Sequence, residues 1–330
     1  MPKARVWTHS RFQPEALAVL EPLAEVITGS APEADEWYAT AATCDALIVG
    51  GLSWITGPVL DRIGPRLRVV GRPGIGVDRI DLAAATERGI LVVNTPDGPT
   101  ESTAEHAIAL MLNLMKRVAV SDRLLRAGQG GVAYGTLPSG LEALGAVLGL
   151  IGLGRIGGRV AEIARVLGMR VLAYDPFVAP ERAAALGVTL VPTLAELLSS
   201  SDVVSIHCPA TPETHHLIDA EMLALMRPGS YLINVSRGTI VDEAALIEAL
   251  RSGHLAGAGL DVFDPEPPAA DNPLFSLPNT ICTPHIGSYT GACVLRMQVM
   301  VCEQVASALR GERPANLVNP EVWGRHRGRG

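Results

Sequence analysis

The most informative segment of the sequence is Ala146-Val-Leu-Gly-Leu-Ile-Gly-Leu-Gly-Arg-Ile-Gly157, an apolar run that leads into three glycines. They stand at Gly152, Gly154 and Gly157, and apolar residues at helical spacing follow them. The first glycine permits a tight turn, the second lets the backbone approach a ligand, and the third lets a helix pack on the strand. This order of strand, turn and helix predicts a dinucleotide site, because a helix N-terminus attracts a pyrophosphate.

A carboxylate follows the next predicted strand, at Asp175, 18 residues beyond Gly157. This is the distance at which an acidic side chain accepts hydrogen bonds from the ribose hydroxyls of a bound dinucleotide. Asp175 would repel a 2′-phosphate, and Pro176-Phe177 supplies no arginine to hold one, so NAD is predicted rather than NADP. The alternative is that the three glycines serve only the turns of an α/β sheet.

Length and composition predict two α/β domains. The 330 residues are twice the usual size of one domain, and 48% apolar with 18% charged residues excludes a disordered chain. Short apolar runs alternate with helical patterns, which indicates doubly wound parallel sheets. The predicted strands are residues 5–7, 46–49, 68–70, 90–93, 146–151, 170–174, 188–191, 203–207, 230–234, 257–261 and 280–282. The predicted helices include residues 14–23, 58–63, 82–88, 103–125 and 291–309.

Charge and cysteine content exclude several classes of function. The net charge is −7 and no basic run occurs, so nucleic acid and anionic membranes are not expected partners. The five cysteines form no C-x-x-C pair, so we expect reduced thiols in a cytoplasmic protein and no metal site. The N-terminus carries no apolar signal segment, and the uncharged run 143–154 is too short to span a bilayer.

A hydride-transferring site needs a group that exchanges a proton with the substrate oxygen, and histidine titrates in the right range. His285 lies in Thr283-Pro-His-Ile-Gly-Ser288, just beyond the predicted strand 280–282. Ligands of α/β sheets bind outside the carboxyl ends of the strands, where this side chain falls. The other histidines, such as His106 and the pair His215-His216, are interpreted as structural.

Two further strand ends carry charged residues. Arg237 lies in Asn234-Val-Ser-Arg-Gly-Thr-Ile-Val-Asp242, and an arginine there can hold a carboxylate with two parallel hydrogen bonds. Glu266 stands between two prolines in Leu-Asp-Val-Phe-Asp-Pro-Glu-Pro, residues 260–267, and is suited to orient an imidazole. The alternative is that Arg237 and Glu266 form a structural ion pair.

Together these motifs resemble the D-isomer-specific 2-hydroxyacid dehydrogenase family. That family includes D-lactate, D-glycerate and 3-phosphoglycerate dehydrogenases and hydroxypyruvate or glyoxylate reductases. The resemblance covers residues 47–319, and Arg237 precedes Glu266 by 29 residues while His285 follows it by 19. It implies two Rossmann-like domains. A flavodoxin-like substrate domain is formed by residues 1–100 and 290–330, and an NAD-binding domain of residues 101–289 is inserted into it.

The resemblance also implies a mechanism and a site. NADH delivers hydride to C2 of a 2-oxo acid, His285 protonates the carbonyl oxygen, Glu266 orients His285, and Arg237 holds the carboxylate. The implied substrate-binding residues are Gly50, Gly51, Gly74, Ile75, Gly76, Arg237 and His285. The implied cofactor-binding residues are Ile75, Gly152, Gly154, Arg155, Ile156, Gly157, Asp175, Cys208, Val235, Ser236, Arg237, Asp261, His285 and Gly287, with Asp261 on the nicotinamide amide.

The substrate is less sharply indicated. Relatives that act on 3-phosphoglycerate often carry Arg-Ser where this chain has Gly50-Gly51, whereas Arg72 resembles that subgroup and can hold a remote anion. The missing arginine favours a small uncharged 2-oxo acid such as glyoxylate or hydroxypyruvate, with D-3-phosphoglycerate dehydrogenase as the alternative. The alternative to an enzyme is a scaffold that senses NADH, similar to the co-repressors built on this fold. The family also implies a homodimer formed through residues 103–125, whose apolar face can equally be core.

Overall fold

The computed structural model describes residues 3–9, 12–29, 35–51, 53–131 and 137–327. The chain divides into two compact units. Unit 1 comprises Met1–Pro99 and Tyr289–Gly330, and unit 2 is Thr100–Ser288. Each unit contains one parallel sheet with helices between its strands, which confirms the predicted α/β class.

The sheet of unit 1 has five strands in the order β2-β1-β3-β4-β5, and each neighbouring pair is parallel. This is the flavodoxin-like order. The strands are β1 (Ala4–His9), β2 (Ala24–Gly29), β3 (Ala46–Ile48), β4 (Val69–Gly71) and β5 (Leu91–Val93).

The sheet of unit 2 has seven parallel strands in the order β12-β11-β10-β9-β6-β7-β8. They are β6 (Val147–Ile151), β7 (Arg170–Tyr174), β8 (Thr189–Leu190), β9 (Val203–Ile206), β10 (Ser230–Asn234), β11 (Leu255–Leu260) and β12 (Thr280–Cys282). The chain reverses its direction across the sheet between β6 and β9. A crevice at the carboxyl ends of the strands forms at such a reversal, and dinucleotides bind there.

Twelve α-helices are described by the structure within these ranges of the chain. They are α1 (Pro14–Leu17), α2 (Asp35–Ala41), α3 (Gly57–Ile63), α4 (Leu82–Glu87), α5 (Thr100–Met115), α6 (Val118–Arg126), α7 (Arg155–Val166), α8 (Pro180–Ala185), α9 (Leu194–Ser200), α10 (Ala220–Leu225), α11 (Glu243–Arg251) and α12 (Gly291–Leu309).

The prediction of one continuous helix over residues 103–125 was wrong. Arg117 adopts a left-handed conformation with φ of 57°, and this residue separates α5 from α6. The apolar face of α5 packs on α7, β10 and β11 and belongs to the core of unit 2. By contrast, α6 buries none of its residues and leaves Val118 and Leu125 exposed.

Two elements of unit 1 were missed in the sequence. The strand β2 lies at the sheet edge, and apart from the buried Ala24 its residues are half-buried or exposed, so it lacks the continuous apolar run of a central parallel strand. The predicted helix 14–23 ends at Leu17, and residues 18–23 form turns that lead into β2. The helix α2 was not predicted either.

The last helix, α12, is long and apolar enough to cross a bilayer by composition alone. Within unit 1 it packs against α1, β4 and β5, and it buries Cys293, Val301 and Val305. Its contact with β4 requires Gly71, since a Cβ at that position would lie 2.8 Å from Cγ2 of Val301. The helix therefore serves as the core helix of unit 1.

Candidate active site

The glycine loop between β6 and α7 forms a cradle at the sheet's reversal point. Gly152 has a φ of 95°, and a Cβ there would lie 2.7 Å from the amide nitrogen of Cys208. A Cβ on Gly157 would lie 2.2 Å from the carbonyl oxygen of Gly152. Gly154 differs from both, because nothing lies within 4 Å of its Cβ position. The open space next to Gly154, at the N-terminus of α7, fits a pyrophosphate.

The Asp175 carboxylate at the end of β7 braces this loop. One oxygen accepts a hydrogen bond from the Leu153 amide at 2.8 Å, and the other accepts one from the Phe177 amide at 2.9 Å. An ionised carboxylate has about four acceptor sites, so capacity remains for the ribose hydroxyls. Asp175 therefore braces the glycine loop, and its contact with the ribose hydroxyls stays a prediction.

Other predicted cofactor residues of unit 2 follow its strands at the same carboxyl edge of the sheet, whereas Ile75 belongs to unit 1. Arg155 is exposed on the first turn of α7, while Ile156 packs on the core of unit 2. The hydroxyl of Ser236 donates to the carbonyl oxygen of Cys208 at 2.5 Å, which ties the segment after β10 to the segment after β9. Val235, which precedes Ser236, is buried. Cys208 is half-buried, and this burial raises the pKa of its thiol to about 11. Cys208 therefore presents a neutral thiol.

His285 is held in an unusual backbone conformation beyond β12. Its φ is 54°, which is uncommon for a residue other than glycine, and its amide donates to the carbonyl oxygen of Asp261 at 2.8 Å. Nδ1 of His285 lies 2.5 Å from Oε1 of Glu266. The carboxylate thereby fixes the ring's tautomer and leaves Nε2 for proton exchange. The His285 side chain is 42% exposed and that of Glu266 is 15% exposed, so the ring is accessible while its partner is sheltered.

The buried Asp261 carboxylate sets the position of the loop that carries His285. It accepts hydrogen bonds from the Ile286 amide at 2.9 Å and from the Gly287 amide at 2.7 Å. The Thr283 hydroxyl donates to the same carboxylate at 2.5 Å. Burial alone would raise the pKa of Asp261, but the hydrogen bonds it accepts hold that pKa below its ordinary value.

His106 on α5 completes this network and was interpreted as structural in the sequence. Its Nε2 lies 3.0 Å from the Thr283 hydroxyl oxygen and 3.4 Å from a carboxylate oxygen of Asp261. Because Thr283 donates its proton to Asp261, Nε2 of His106 donates to Thr283. No sequence motif signals this contact, since His106 and Thr283 are 177 residues apart. The predicted contact of Asp261 with the nicotinamide amide stays a prediction.

Arg237 follows β10 in a segment that Asn234 organises. The side-chain amide of Asn234 donates to the carbonyl oxygen of Arg237 at 2.9 Å and accepts from the Ser236 amide at 3.0 Å. The next residue, Gly238, packs so closely that a Cβ there would lie 2.0 Å from the carbonyl carbon of Phe263. This close approach joins the segment of Arg237 to the segment that leads to Glu266.

In unit 1, the guanidinium of Arg72 organises the predicted substrate loops. Arg72 is 3% exposed, and its Nη2 donates to the carbonyl oxygen of Gly51 at 2.8 Å. Its Nη1 donates to the carbonyl oxygen of Gly50, and its Nε donates to that of Gly76 at 3.3 Å. The suggestion that Arg72 holds a remote anion is therefore corrected: the side chain is buried and hydrogen-bonded to three backbone carbonyls.

The loop Gly74-Ile75-Gly76 is braced from β5. The Gly74 amide donates to the Thr95 hydroxyl at 2.7 Å, so this N–H is already engaged. The Asn94 side-chain amide donates to the carbonyl oxygen of Ile75 at 2.8 Å. The backbone N–H groups of Ile75 and Gly76 have no hydrogen-bond acceptor among the described residues. These two N–H groups can therefore donate to a substrate carboxylate. Gly50 and Gly51 present open space where a side chain would stand.

The two glycines of the loop are expected to respond differently to alanine. Gly157→Ala forces a methyl group against the Gly152 carbonyl and should destabilise unit 2 by about 1–3 kcal/mol, the cost of overpacking. Gly154→Ala meets open space, so the fold is retained, but the methyl group occupies the cradle and should weaken NADH binding at least about tenfold, or ~1.4 kcal/mol. Urea unfolding and NADH fluorescence titration measure the two effects. Equal loss of stability in both variants would contradict the assignment of Gly157 to packing and of Gly154 to the cofactor cradle.

His207 follows β9, and its presence leads us to expect that the folded protein is less stable in acid. Burial lowers its pKa from 6.5 to about 4, and its Nδ1 is buried without a hydrogen-bond partner among the described residues. Between these pH values the unfolded chain binds a proton that the folded chain does not, so the free energy of unfolding falls by about 2–3 kcal/mol as pH falls. Urea unfolding across this range should show a shallower decline for His207→Asn. An identical decline in both proteins would refute the prediction.

Known proteins resemble this chain in sequence and in fold. Residues 108–287 match the family model described as "D-isomer specific 2-hydroxyacid dehydrogenase, NAD binding domain". The chain is 44% identical to glyoxylate reductase of Korarchaeum cryptofilum, over 84% of each chain. It is 43% identical to D-3-phosphoglycerate dehydrogenase of Mycobacterium leprae, over 92% of this chain and 56% of that protein. A holo form of D-mandelate dehydrogenase from Rhodotorula graminis superposes with a TM-score of 0.87 at 29% identity, covering 96% of this chain and 98% of the other.

This chain spans about half the length of the phosphoglycerate dehydrogenases that it matches, but most of the length of the glyoxylate reductase. The family match covers more than half of the chain, including the glycine loop, Arg237, Glu266 and His285. The chain therefore belongs to the D-isomer specific 2-hydroxyacid dehydrogenase family.

Proposed function

We propose that this protein is a nicotinamide-dependent D-2-hydroxyacid dehydrogenase that reduces a small 2-oxo acid. The observation that carries the proposal is the pairing of His285 with Glu266 at 2.5 Å, at the carboxyl edge of the sheet that also carries the glycine cradle. A proton-exchanging group and a dinucleotide cradle on one sheet edge are the two requirements of hydride transfer to a carbonyl. Relatives named glyoxylate reductase and D-3-phosphoglycerate dehydrogenase support the same reaction class.

The chain's own residues supply the rest of the chemistry. A nicotinamide cofactor, when bound, supplies the hydride for C2 of the substrate. His285 donates a proton from Nε2 to the carbonyl oxygen, and Glu266 holds the ring by its Nδ1. Arg237 presents a planar guanidinium that holds the substrate carboxylate and polarises the carbonyl. In the reverse direction, His285 accepts the hydroxyl proton of the 2-hydroxy acid.

Asp175 supports NAD rather than NADP as the cofactor. Its carboxylate stands at the end of β7, braced by the amides of Leu153 and Phe177. A 2′-phosphate placed there would meet a fixed negative charge, while free ribose hydroxyls would donate to it. Titration with NADH and NADPH side by side tests this choice: tighter binding of NADPH would reverse it.

The substrate we propose is unphosphorylated, such as glyoxylate or hydroxypyruvate. Gly50 and Gly51 carry no charge, and Arg72 is buried and bonded to the backbone, so these predicted substrate loops offer no exposed cation to a phosphate. D-3-phosphoglycerate dehydrogenase is the second candidate, since several curated relatives carry that name.

A substrate panel tests both the activity and its specificity. NADH oxidation is followed with glyoxylate, hydroxypyruvate and 3-phosphohydroxypyruvate under matched conditions. We expect a higher kcat/KM for hydroxypyruvate than for its phosphorylated analogue, and the opposite order would establish the second candidate. Binding of NADH without oxidation by any 2-oxo acid would instead favour the NADH-sensing scaffold.

A homodimer in the cytoplasm is the proposed assembly and location. All five cysteines, which lie within the described residues, are free thiols, as suits a reducing compartment. The exposed Val118 and Leu125 of α6, together with Leu144, offer apolar surface for a second copy, whereas α5 is core. Sedimentation should give twice the chain mass of 34.7 kDa. A species of the single-chain mass at micromolar concentration would reject the dimer.

A further inference from the structure

We propose that His215, His216 and Asp264 form a binding site for one divalent cation of the Zn²⁺ or Ni²⁺ type. The structure brings one ligand atom from each of these side chains within 4.8 Å of the other two. All three residues are exposed, so an ion can reach them from solvent. The sequence predicted no metal site, because Asp264 is far along the chain from the two histidines.

The separation of the ligand atoms is close to what coordination requires. Zn²⁺ binds imidazole nitrogen and carboxylate oxygen at about 2.0–2.2 Å, which places tetrahedral ligand atoms roughly 3.3 Å apart. The observed limit of 4.8 Å exceeds this by about 1.5 Å, a distance that χ rotation of exposed side chains covers.

The two imidazoles are already arranged side by side. Their ring centroids lie 4.1 Å apart with an interplanar angle of 23°. His216 has a φ of 50°, a left-handed conformation that costs free energy in a residue with a side chain. Its amide donates to the carbonyl oxygen of Thr239 at 2.9 Å, and the Ile218 amide donates to that of Ile240 at 3.0 Å. These contacts anchor the histidine pair to the segment after Arg237.

Asp264, the third proposed ligand, also contacts the segment after Arg237. A Cβ on Gly238 would lie 2.6 Å from the amide nitrogen of Asp264, so the backbones of these two residues are in close contact. Gly238 and Thr239 are adjacent, and they hold Asp264 and His216 respectively. The convergence of the three side chains therefore follows from backbone packing.

The donor set selects the class of ion. Two imidazole nitrogens and one carboxylate oxygen suit Zn²⁺, Ni²⁺ and Co²⁺, whereas Mg²⁺ and Ca²⁺ prefer an all-oxygen set. Within the described part of the chain, none of the three side chains makes a hydrogen bond through its ligand groups, so coordination displaces no existing partner. Three protein ligands leave positions for water.

The site lies beside the proposed catalytic pair and is separate from it. Asp264 precedes Glu266 by two residues, and Glu266 keeps its contact with His285 at 2.5 Å. A cation bound to Asp264 and the two histidines links the segment that carries Glu266 directly to the segment 215–216. Coordination should thus restrain the start of the Glu266 segment.

Calorimetric titration of the chelator-treated full chain with ZnCl₂ tests the site. We expect one Zn²⁺ per chain in the wild type. Each of H215A, H216A and D264N should weaken binding at least about tenfold, as loss of a ligand contact does. Because the three side chains are exposed, thermal melting and NADH binding of the ion-free variants should match the wild type. Titration with Co²⁺ should give visible d–d absorption without a thiolate charge-transfer band.

The matched control is H285N, which removes the exposed imidazole that pairs with the Glu266 carboxylate. Zn²⁺ binding should survive this substitution with unchanged affinity. Binding that is lost in H285N and kept in H215A and H216A would overturn the proposal, because the ion would then sit on the His285–Glu266 pair. A thiolate charge-transfer band with Co²⁺, or no saturable Zn²⁺ binding, would overturn it as well.

Discussion

Replacing His285 with alanine is expected to lower kcat about 10²–10⁴-fold, the usual contribution of a positioned general acid. The proton that Nε2 delivers to the substrate oxygen would then have to come from water. The side chain is 42% exposed and its backbone is held by Asp261, so the fold and NADH binding should be retained. The effect therefore belongs to kcat rather than to cofactor affinity.

Stopped-flow and steady-state measurements with the preferred 2-oxo acid check this result. Glu266→Gln keeps a hydrogen-bond partner for Nδ1 but removes the charge, and it should lose less activity than His285→Ala. His9→Ala, in the first strand of unit 1, serves as a histidine control with unchanged turnover. Unchanged kcat in His285→Ala would eliminate this residue as the acid.

Gly238→Ala is expected to reduce kcat/KM by about 10²-fold, because a misplacement of about 1 Å at a catalytic group can cost that much. The added methyl group would lie 2.0 Å from both the carbonyl carbon and oxygen of Phe263. These Phe263 atoms are backbone atoms and cannot rotate away as a flexible side chain does. The segments that carry Arg237 and Glu266 must therefore move apart. The chain should also lose about 1–3 kcal/mol of stability through overpacking.

The control for this variant is Gly131→Ala, at a glycine of the same unit with nothing within 4 Å of its Cβ position. Its kcat/KM and urea midpoint should equal those of the wild type. If Gly238→Ala retained full activity and stability, the close approach to Phe263 would not be what positions these segments.

The central strands and the glycine loop were predictable because their signals are local. A strand in the middle of a parallel sheet is buried on both faces and needs a largely apolar run, and the fully buried runs at 147–151, 203–206 and 230–234 are mostly apolar. The edge strand β2 was missed since its outer residues face solvent and dilute that pattern. The break at Arg117 was missed as well, because the helical periodicity continues across it while the backbone does not.

The candidate site divides in the same way. Arg237, Glu266 and His285 were identified because each follows a strand, and parallel strands bring their carboxyl ends to one edge. The brace from His106 through Thr283 to Asp261 carries no sequence signal, since α5 meets that loop only after the chain folds. Arg72 was misread for a related reason: its charge suggested an anion, whereas burial turned it toward the carbonyls of Gly50 and Gly51.

Local patterns in the sequence were thus enough to predict the α/β class, the glycine loop and three candidate catalytic residues that follow strands. These features depend on short-range rules, namely which residues fit a turn, a strand or a helix start. Three other features became visible only in the folded chain: Arg72 donates to backbone carbonyls, α5 belongs to the core of unit 2, and Asp264 lies near His215 and His216. Contacts of this second kind join segments that are distant in the chain, and the packing of strands and loops, not the local pattern, sets their distances.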